Sequence, residues 1–471
     1  MKKVQNRLTI AALAASVILG GCSKNFITKA PDSSIPTAEA LLLPSDLQTA
    51  LIGTYAELAG TAYYGRDLPV IGDLMADNTY VETKNSNRYL PQYKYTVLVT
   101  DQVPVDVWTD GYRTILRANN IIDAKVTGSG VNEIKAQAYA LRAWSYFRMV
   151  TYFSKNYTTD SSSFGLPIVL HAAPFDLPTR NSVGSVYTQI VSDLKAAVAI
   201  APPFSSSVYL SKDAINGMLA KVYLYMGDYK DAENTANDVI NNGEFSLVSA
   251  TKFADLMQDP AAKSDPVEIM FEVNEDVINN NGFDDLGGIY IHGYADIYCS
   301  PQLYNLYSAT DARAELLIPN STTKGGAPGA IVVNKYPNAG SADRDNPKVL
   351  RLGEVYLVGA EAAAKNADEP RALELLNTLM TNRDPAFAGY SSTGQQLIND
   401  IVQERRKELA FEGDRFFDLN RLALAINRGT NPGSISGPAT IAAGDNKRVA
   451  PLPNSEIQAN PNIAAQQNPG Y

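Results

Sequence analysis

The sequence predicts a mostly α fold: tetratricopeptide-like helical repeats carrying an inserted, loop-rich α/β excursion. Three stretches lead there. From Lys212 to Asn241, the residues Ala220, Tyr223, Gly227, Tyr229, Ala232 and Ala236 fall where a helical hairpin puts its small and large packing side chains. The small ones let two antiparallel helices approach, and Gly227-Asp228 supplies the turn. A looser copy runs from Val349 to Met380, with Ala360, Glu361 and Ala364 before its turn and Ala372 and Leu376 after it. Between the copies, residues 245–342 change texture. They carry Pro, Gly and Asn clusters, an Asn281-Gly282 hairpin turn, and short runs such as Ile289-Tyr290-Ile291-His292 and Ile331-Val332-Val333 that read as extended.

The remaining elements follow in chain order. Lys2, Lys3 and Arg7, an apolar run from Leu8 to Leu19, and the small pair Gly20-Gly21 make residues 1–21 a secretory leader. That run is well short of the roughly 20 apolar residues a membrane-spanning helix needs. Residues 22–45 are polar and spaced by Pro31, Pro36 and Pro44, which reads as a tether. Leu47, Leu51, Tyr55 and Leu58 have helical spacing, with Ser45 or Asp46 placed to cap the helix. Gly60 to Val99 is loop-rich and ends in the alternation Tyr93, Tyr95, Val97, Val99, which predicts a strand. Val107–Ala124 and Asn132–Phe153 are helical by period. The body divides into an N-terminal region with helical repeats, 46–244, and a C-terminal region, 245–471, that contains the excursion.

Composition narrows the function. The formal charge is −10, and more negative once the leader's cations are removed, which argues against nucleic acid and against adhesion to anionic lipid. Cys22 and Cys299 are the only cysteines, so no disulfide framework supports the fold. His171 and His292 are the only histidines, too few and too far apart for most hydrolytic or zinc chemistry. The 26 tyrosines suit an adaptable binding face, with an apolar ring and a polar tip.

The charge run Glu404–Asp418 is read as scaffold, not as paired acids for glycoside cleavage. Glu404 with Lys407 and Glu408, and Arg405 with Glu408, have the spacing of contacts along one helix, continued by Glu412 and Arg415. Tyr139, Trp144, Tyr146, Tyr223 and Tyr225 sit at helical spacing inside repeats and are expected in the core, as is Trp108. Asn279-Asn280-Asn281-Gly282 with Asp284-Asp285 hints at a calcium loop, but its glycine misses the sixth position, and a hairpin turn is the better reading. No other cofactor is expected.

The candidate binding residues are loop residues near aromatics. Tyr63, Tyr64, Arg66 and Asp67 follow the first helix, and Asn87, Arg88 and Tyr89 lie further along the same segment. In the excursion, Tyr290, His292, Tyr294 and Asp296 group together. Rings for a sugar's apolar face, with Arg, Asp and Asn for its hydroxyls, are the residue types that saccharide binding uses.

Two resemblances add to this. Leu19-Gly20-Gly21-Cys22 resembles the lipobox of bacterial lipoproteins, which implies acylation of Cys22 and a lipid-anchored mature chain. The ordered set of motifs resembles the SusD/RagB outer-membrane lipoproteins of Bacteroidetes. These motifs are Ala140 to Phe147, Leu210–Ile240, Asp311-Ala312-Arg313, Arg351 to Leu357, Glu404 to Leu419, and Pro451-Leu452-Pro453 with the ending Gln467 to Tyr471. The likeness covers nearly the whole mature chain. It implies a non-enzymatic, cell-surface protein that binds oligosaccharides, or peptides in the RagB branch, and delivers them to a SusC-type TonB-dependent porin. It also implies that the ligand site is built from the two loop regions just named. A module that only docks the porin is the third reading.

Overall fold

A computed structural model describes residues 40–173, 176–321, 326–341 and 344–471; the leader and Cys22 lie outside them. Among the described residues the first long helix, α1 (Pro44–Leu58), starts with Pro44 in its first turn, and the Asp46 carboxylate accepts the backbone N–H groups of Leu42 and Leu43. Next come a short helix α2 (Asp67–Leu74), a strand β1 (Thr79–Val81) and one helical turn α3 (Leu90–Lys94). The strand expected at Tyr93–Val99 is thus not formed. Tyr93 and Tyr95 instead pack on the Arg428 guanidinium, at 4.3 and 5.4 Å, a partner from the far end of the chain that alternation cannot reveal.

Long helices follow: α4 (Gln102–Asp123), α5 (Val131–Phe153), α6 (Val183–Ile200), α7 (Lys212–Met226) and α8 (Tyr229–Asn242). Each packs on its sequence neighbour, and α1 packs on α4. Gly227 has φ 72°, a left-handed helix end that an L side chain resists, and Asp228 caps α8 through the N–H of Asp231. The rings expected in the core are there: Trp108, Trp144, Tyr146, Tyr223 and Tyr225 are buried, and Tyr139 is partly so.

The excursion opens with α9 (Ala250–Gln258) and β2 (Ile269–Glu272), and continues through α10 (Leu286–Tyr290), β3 (Ile297–Cys299), β4 (Leu317–Ile318) and β5 (Val332–Val333). β6 (Lys348–Arg351), just beyond it, pairs antiparallel with β2 and forms a two-stranded neck where the chain returns to the repeats. A second pair, β1 with β3, ties the N-terminal loops to the excursion. Two expectations fail here. Ile289–His292 is not extended, because the Asp285 carboxylate accepts the Gly288 N–H and starts a helix through Tyr290. Asn281-Gly282 leads into a single 3-10 turn and not a hairpin, since Asn281 spends its side chain on the Ala59 carbonyl and Glu275.

The second repeat copy is α11 (Leu352–Lys365) with α12 (Glu369–Thr381), followed by α13 (Gly394–Glu408) and α14 (Arg415–Arg421). Although the excursion separates the copies in sequence, α8 packs directly on α11. A Cβ at Gly359 would stand 3.4 Å from that of Ala236. The helical stack is therefore continuous in space. No helix among the described residues is long and apolar enough to cross a membrane.

The charge run is scaffold, but not a surface row. Of the contacts expected along the helix, Glu404–Lys407 forms at 2.9 Å, whereas Arg405 turns to Glu354 and Asp418 and Glu408 turns to the excursion and repeats. Glu408 contacts Arg351 at 2.8 Å, Arg383 at 2.9 Å and Arg313 at 3.2 Å, all buried. Burial pushes the Glu408 carboxyl up, and these three guanidinium groups more than reverse that, holding it well below the usual carboxylate range. Gly353 shows how full the site is: a Cβ there would stand 2.7 Å from a Glu408 carboxylate oxygen.

Glu408→Ala removes the one carboxylate that all three share and leaves Glu268 alone between Arg351 and Arg383 in a dry site, so it is expected to cost about 3–5 kcal/mol in urea unfolding. Lys252→Ala, which removes an exposed pair with Asp255 at 3.3 Å, is expected to cost no more than about 1 kcal/mol. Equal effects would mean that burial adds nothing to this network.

Candidate functional site

The path from the core to the candidate loops runs through the turn after α13. Gly413 has φ +86°, and its carbonyl oxygen would lie 2.0 Å from a Cβ on Gly72, so only glycine at both places lets the turn lie on α2. Asp73 in α2 accepts the Gly413 N–H at 2.8 Å and the Asn78 side-chain amide at 2.8 Å. Arg415 holds Asp77 at 2.8 Å, and Arg406 bonds Asn78 at 2.8 Å. These contacts fix both ends of the segment that carries Arg66 and Asp67 on one side and β1 on the other.

β1 then pairs with β3, which brings the two loop regions together. Arg66, at the start of α2, bonds Asp67 at 3.0 Å and reaches Asp284 of the excursion at 2.7 Å. The Tyr89 hydroxyl donates to Asp67. Burial pushes the Asp67 carboxyl above its ordinary value, and Arg66 and Tyr89 offset part of that. Ser86 binds Asp296 through both its N–H and its hydroxyl, and it accepts from Arg88 at 2.9 Å. The Arg88 guanidinium lies 3.4 Å over the Tyr294 ring and 3.6 Å from Asp284. The backbone is strained here: Asn87, Tyr89 and Ala295 all have positive φ, at 65°, 57° and 46°.

The candidate residues divide by burial. Asn87 and His292 are exposed, Tyr294 is half-buried, and the Arg88 side chain is 31% exposed. Arg66, Asp67, Tyr89 and Asp296 lie beneath them as a polar support. Tyr63, Tyr64 and Tyr290 are core residues, a correction to their reading as loop aromatics open to ligand. Tyr63 and Tyr64 meet edge to face at 5.3 Å, with the Tyr64 hydroxyl accepting from Trp144. Tyr290 stacks on Tyr336 at 6.1 Å and is fully buried. A ring enclosed on both faces has no surface left for a sugar. Tyr89 is enclosed in the same way and acts through its hydroxyl.

Sequence reasoning missed Asp284, which joins Arg66 to Arg88, and the apolar rim beside it. Phe283 is half exposed, Val277 more so, and Ile278 is 95% exposed. The signal was an aromatic and a carboxylate directly after Asn281-Gly282, a pair that a plain hairpin turn does not need. His292 bonds the Pro337 carbonyl at 3.0 Å through one ring nitrogen. The calcium hint finds groups already used: Asn281 bonds the Ala59 carbonyl and Glu275, Asp284 accepts from Arg66, and Asp285 caps α10.

Under the loop lies Glu275, whose carboxylate accepts from Asn281 at 2.9 Å. Burial pushes it up to about 8, helped by the nearby Asp285 charge, against an ordinary value of 4.5. Between those values the folded state holds a proton that the unfolded state has released, so stability falls as pH rises from about 4.5 to about 8. Glu275→Gln is expected to flatten this fall, with a smaller loss of melting temperature between pH 5 and pH 9 than the parent shows. Parallel losses in the two proteins would assign the pH dependence elsewhere.

Comparison with known proteins gives a consistent result. The profile described as the SusD family matches residues 317–471, and one described as starch-binding associating with outer membrane matches residues 25–224. The SusD-like protein P2 of Formosa agariphila is 27% identical across the full length of both chains. A SusD superfamily protein of Bacteroides thetaiotaomicron is 30% identical, covering 90% of this chain and 99% of its own, with a TM-score of 0.80. One from Bacteroides vulgatus is 25% identical over 91% of this chain and 99% of its own, with a TM-score of 0.83.

Proposed function

The chain belongs to the SusD family, and from that premise we propose that it binds saccharides on the Arg88–Tyr294 surface and delivers them to a SusC-type TonB-dependent porin. The observation that carries the reading is the meeting of the two loop regions in one cluster: Arg88, Asp284 and Tyr294 at the surface over Arg66, with Phe283 against the His292–Tyr294 turn. Guanidinium and carboxylate groups side by side offer donors and acceptors for adjacent hydroxyls, and an exposed phenyl ring suits the apolar face of a pyranose. The description of the matched family as starch-binding and associated with the outer membrane supports both ligand class and location.

One face of Tyr294 is covered by Arg88. Lifting that guanidinium off costs only about 0.5–1 kcal/mol at an exposed site. A ligand that takes Arg88 onto its hydroxyls frees the ring face beneath, so both groups serve one binding event. The mechanism is capture and transfer, with no bond broken. Acylation of Cys22 holds the body at the outer membrane, facing out, where it acts as a lid on the porin.

Calorimetry against a panel of oligosaccharides and peptide pools tests this. A glycan is expected to bind, with Arg88→Ala and Tyr294→Ala each weakening it about tenfold, the loss of one charge-assisted or stacking contact. Binding of peptides alone would replace saccharide with peptide. Binding of neither, with uptake intact in the variants, would leave only porin docking. Antibody labelling of intact cells reads the membrane face.

A further inference from the structure

A cavity of about 560 Å³ lies between the Ser154–Phe164 loop, the end of α14 and the C-terminal segment, formed by residues that the Arg88–Tyr294 surface does not use. Its volume falls within the roughly 300–1,000 Å³ typical of small-molecule sites. Arg448 and Lys155 line it as cations, Asp445 is the one carboxylate in its wall, and Phe164, 48% exposed, lies at its edge. The rest of the wall is rich in amides and hydroxyls.

Arg448 is the unusual member. It is only 3% exposed, yet among the described residues no carboxylate is in ion-pair contact with it, and its Nη2 has no hydrogen-bond partner. Its other nitrogens bond neutral oxygens: the Asn420 side chain at 2.7 Å and the Leu424 carbonyl at 2.7 Å. Arg180 behind the wall is similar, bonding backbone carbonyls and the Asn468 side chain at 2.9 Å. Elsewhere in the core, Arg313, Arg351, Arg383, Arg405 and Arg421 all face carboxylates. A buried cation costs several kcal/mol unless an anion or a set of dipoles compensates it. Here Lys155 has Asp160 at 3.4 Å, whereas the buried Arg448 charge is met by neutral dipoles and no ion-pair partner, beside an open cavity.

We propose that this cavity is a second ligand site, for a small carboxylate-bearing sugar of the uronate type. The carboxylate lies toward Arg448 and Lys155, the hydroxyls face the amide-rich wall, and the ring lies against Phe164. The charge selects the acid, and the amide- and hydroxyl-rich part of the wall with its exposed ring selects a sugar over a simple carboxylate.

Gly444 allows a clean test. It lines the cavity, its φ is ordinary, and a Cβ there meets nothing within 4 Å, so Gly444→Trp fills the space without backbone strain. Ligand-observed NMR and calorimetry on the purified protein would use glucuronate, with glucose and acetate as controls. Glucuronate is expected to bind at least about tenfold more tightly than either control, the value of one charge-assisted contact, and to weaken with added salt. Gly444→Trp should abolish this binding, Phe164→Ala should weaken it, and Arg88→Ala should leave it unchanged. Equal binding of glucuronate and glucose, equal binding of glucuronate and acetate, or glucuronate binding that survives Gly444→Trp would each overturn the proposal. If Gly444→Trp fails to fold, unchanged binding in Phe164→Ala does so. The Arg88→Ala control keeps this result separate from that for the first surface.

Discussion

Glu408 holding three arginines in the dry interior is the contact on which the other elements depend. Arg351 comes from the excursion's neck, Arg313 from inside the excursion and Arg383 from the end of the second repeat, so one carboxylate joins three parts of the chain. Through Arg351 the network reaches Glu412 and Lys335, and a second buried cluster on the same helix runs from Arg405 through Glu354, Lys221 and Asp414 to Arg148 of α5. Such a network is poor evidence of excess stability, because well-packed apolar residues often do as well. What it supplies is exclusivity. A guanidinium fork accepts few geometries, and a wrong pairing leaves charge unpaired without water, so the repeats and the excursion have one low-energy way to meet.

That exclusivity reaches the surface by a short route. The turn that follows Glu408 presents Gly413 to Gly72, at a distance no side chain would permit. Position is then passed along α2 to β1, and through β1 to β3, so that loops more than 200 residues apart in sequence share a hydrogen-bonded floor. The left-handed residues Asn87, Tyr89 and Ala295 sit on that floor. Backbone strain of this kind persists only where the surroundings over-determine it, and pre-positions polar groups for a partner.

Much of the fold was legible in the residues. The hairpin around Gly227-Asp228 was plain because small residues at fixed offsets and one glycine turn are local features. The separated second copy was visible for the same reason. Hidden was that the two copies touch, since α8 meets α11 across an intervening excursion. The site was legible by region but not by residue. Arg88, Asn87, His292 and Tyr294 fall on the surface, whereas Tyr63, Tyr64 and Tyr290 fill the core. A tyrosine in a loop looks the same in sequence whether the loop lies over the core or stands in water.

By itself the sequence determined the helical repeats, the place of the excursion, the family resemblance and the two stretches that bear the candidate site. All of these follow from local periodicity, turn residues and motif order. Only the tertiary structure decided which charge meets which. The row from Glu404 to Arg415 had the spacing of contacts along a helix, yet most of its members pair with Arg351, Arg383, Arg313, Glu354 and Asp77 instead. The physical reason is burial. On an exposed helix, neighbours three and four residues apart are the available partners, whereas in a dry interior every charge must be matched by whatever the packing brings within reach.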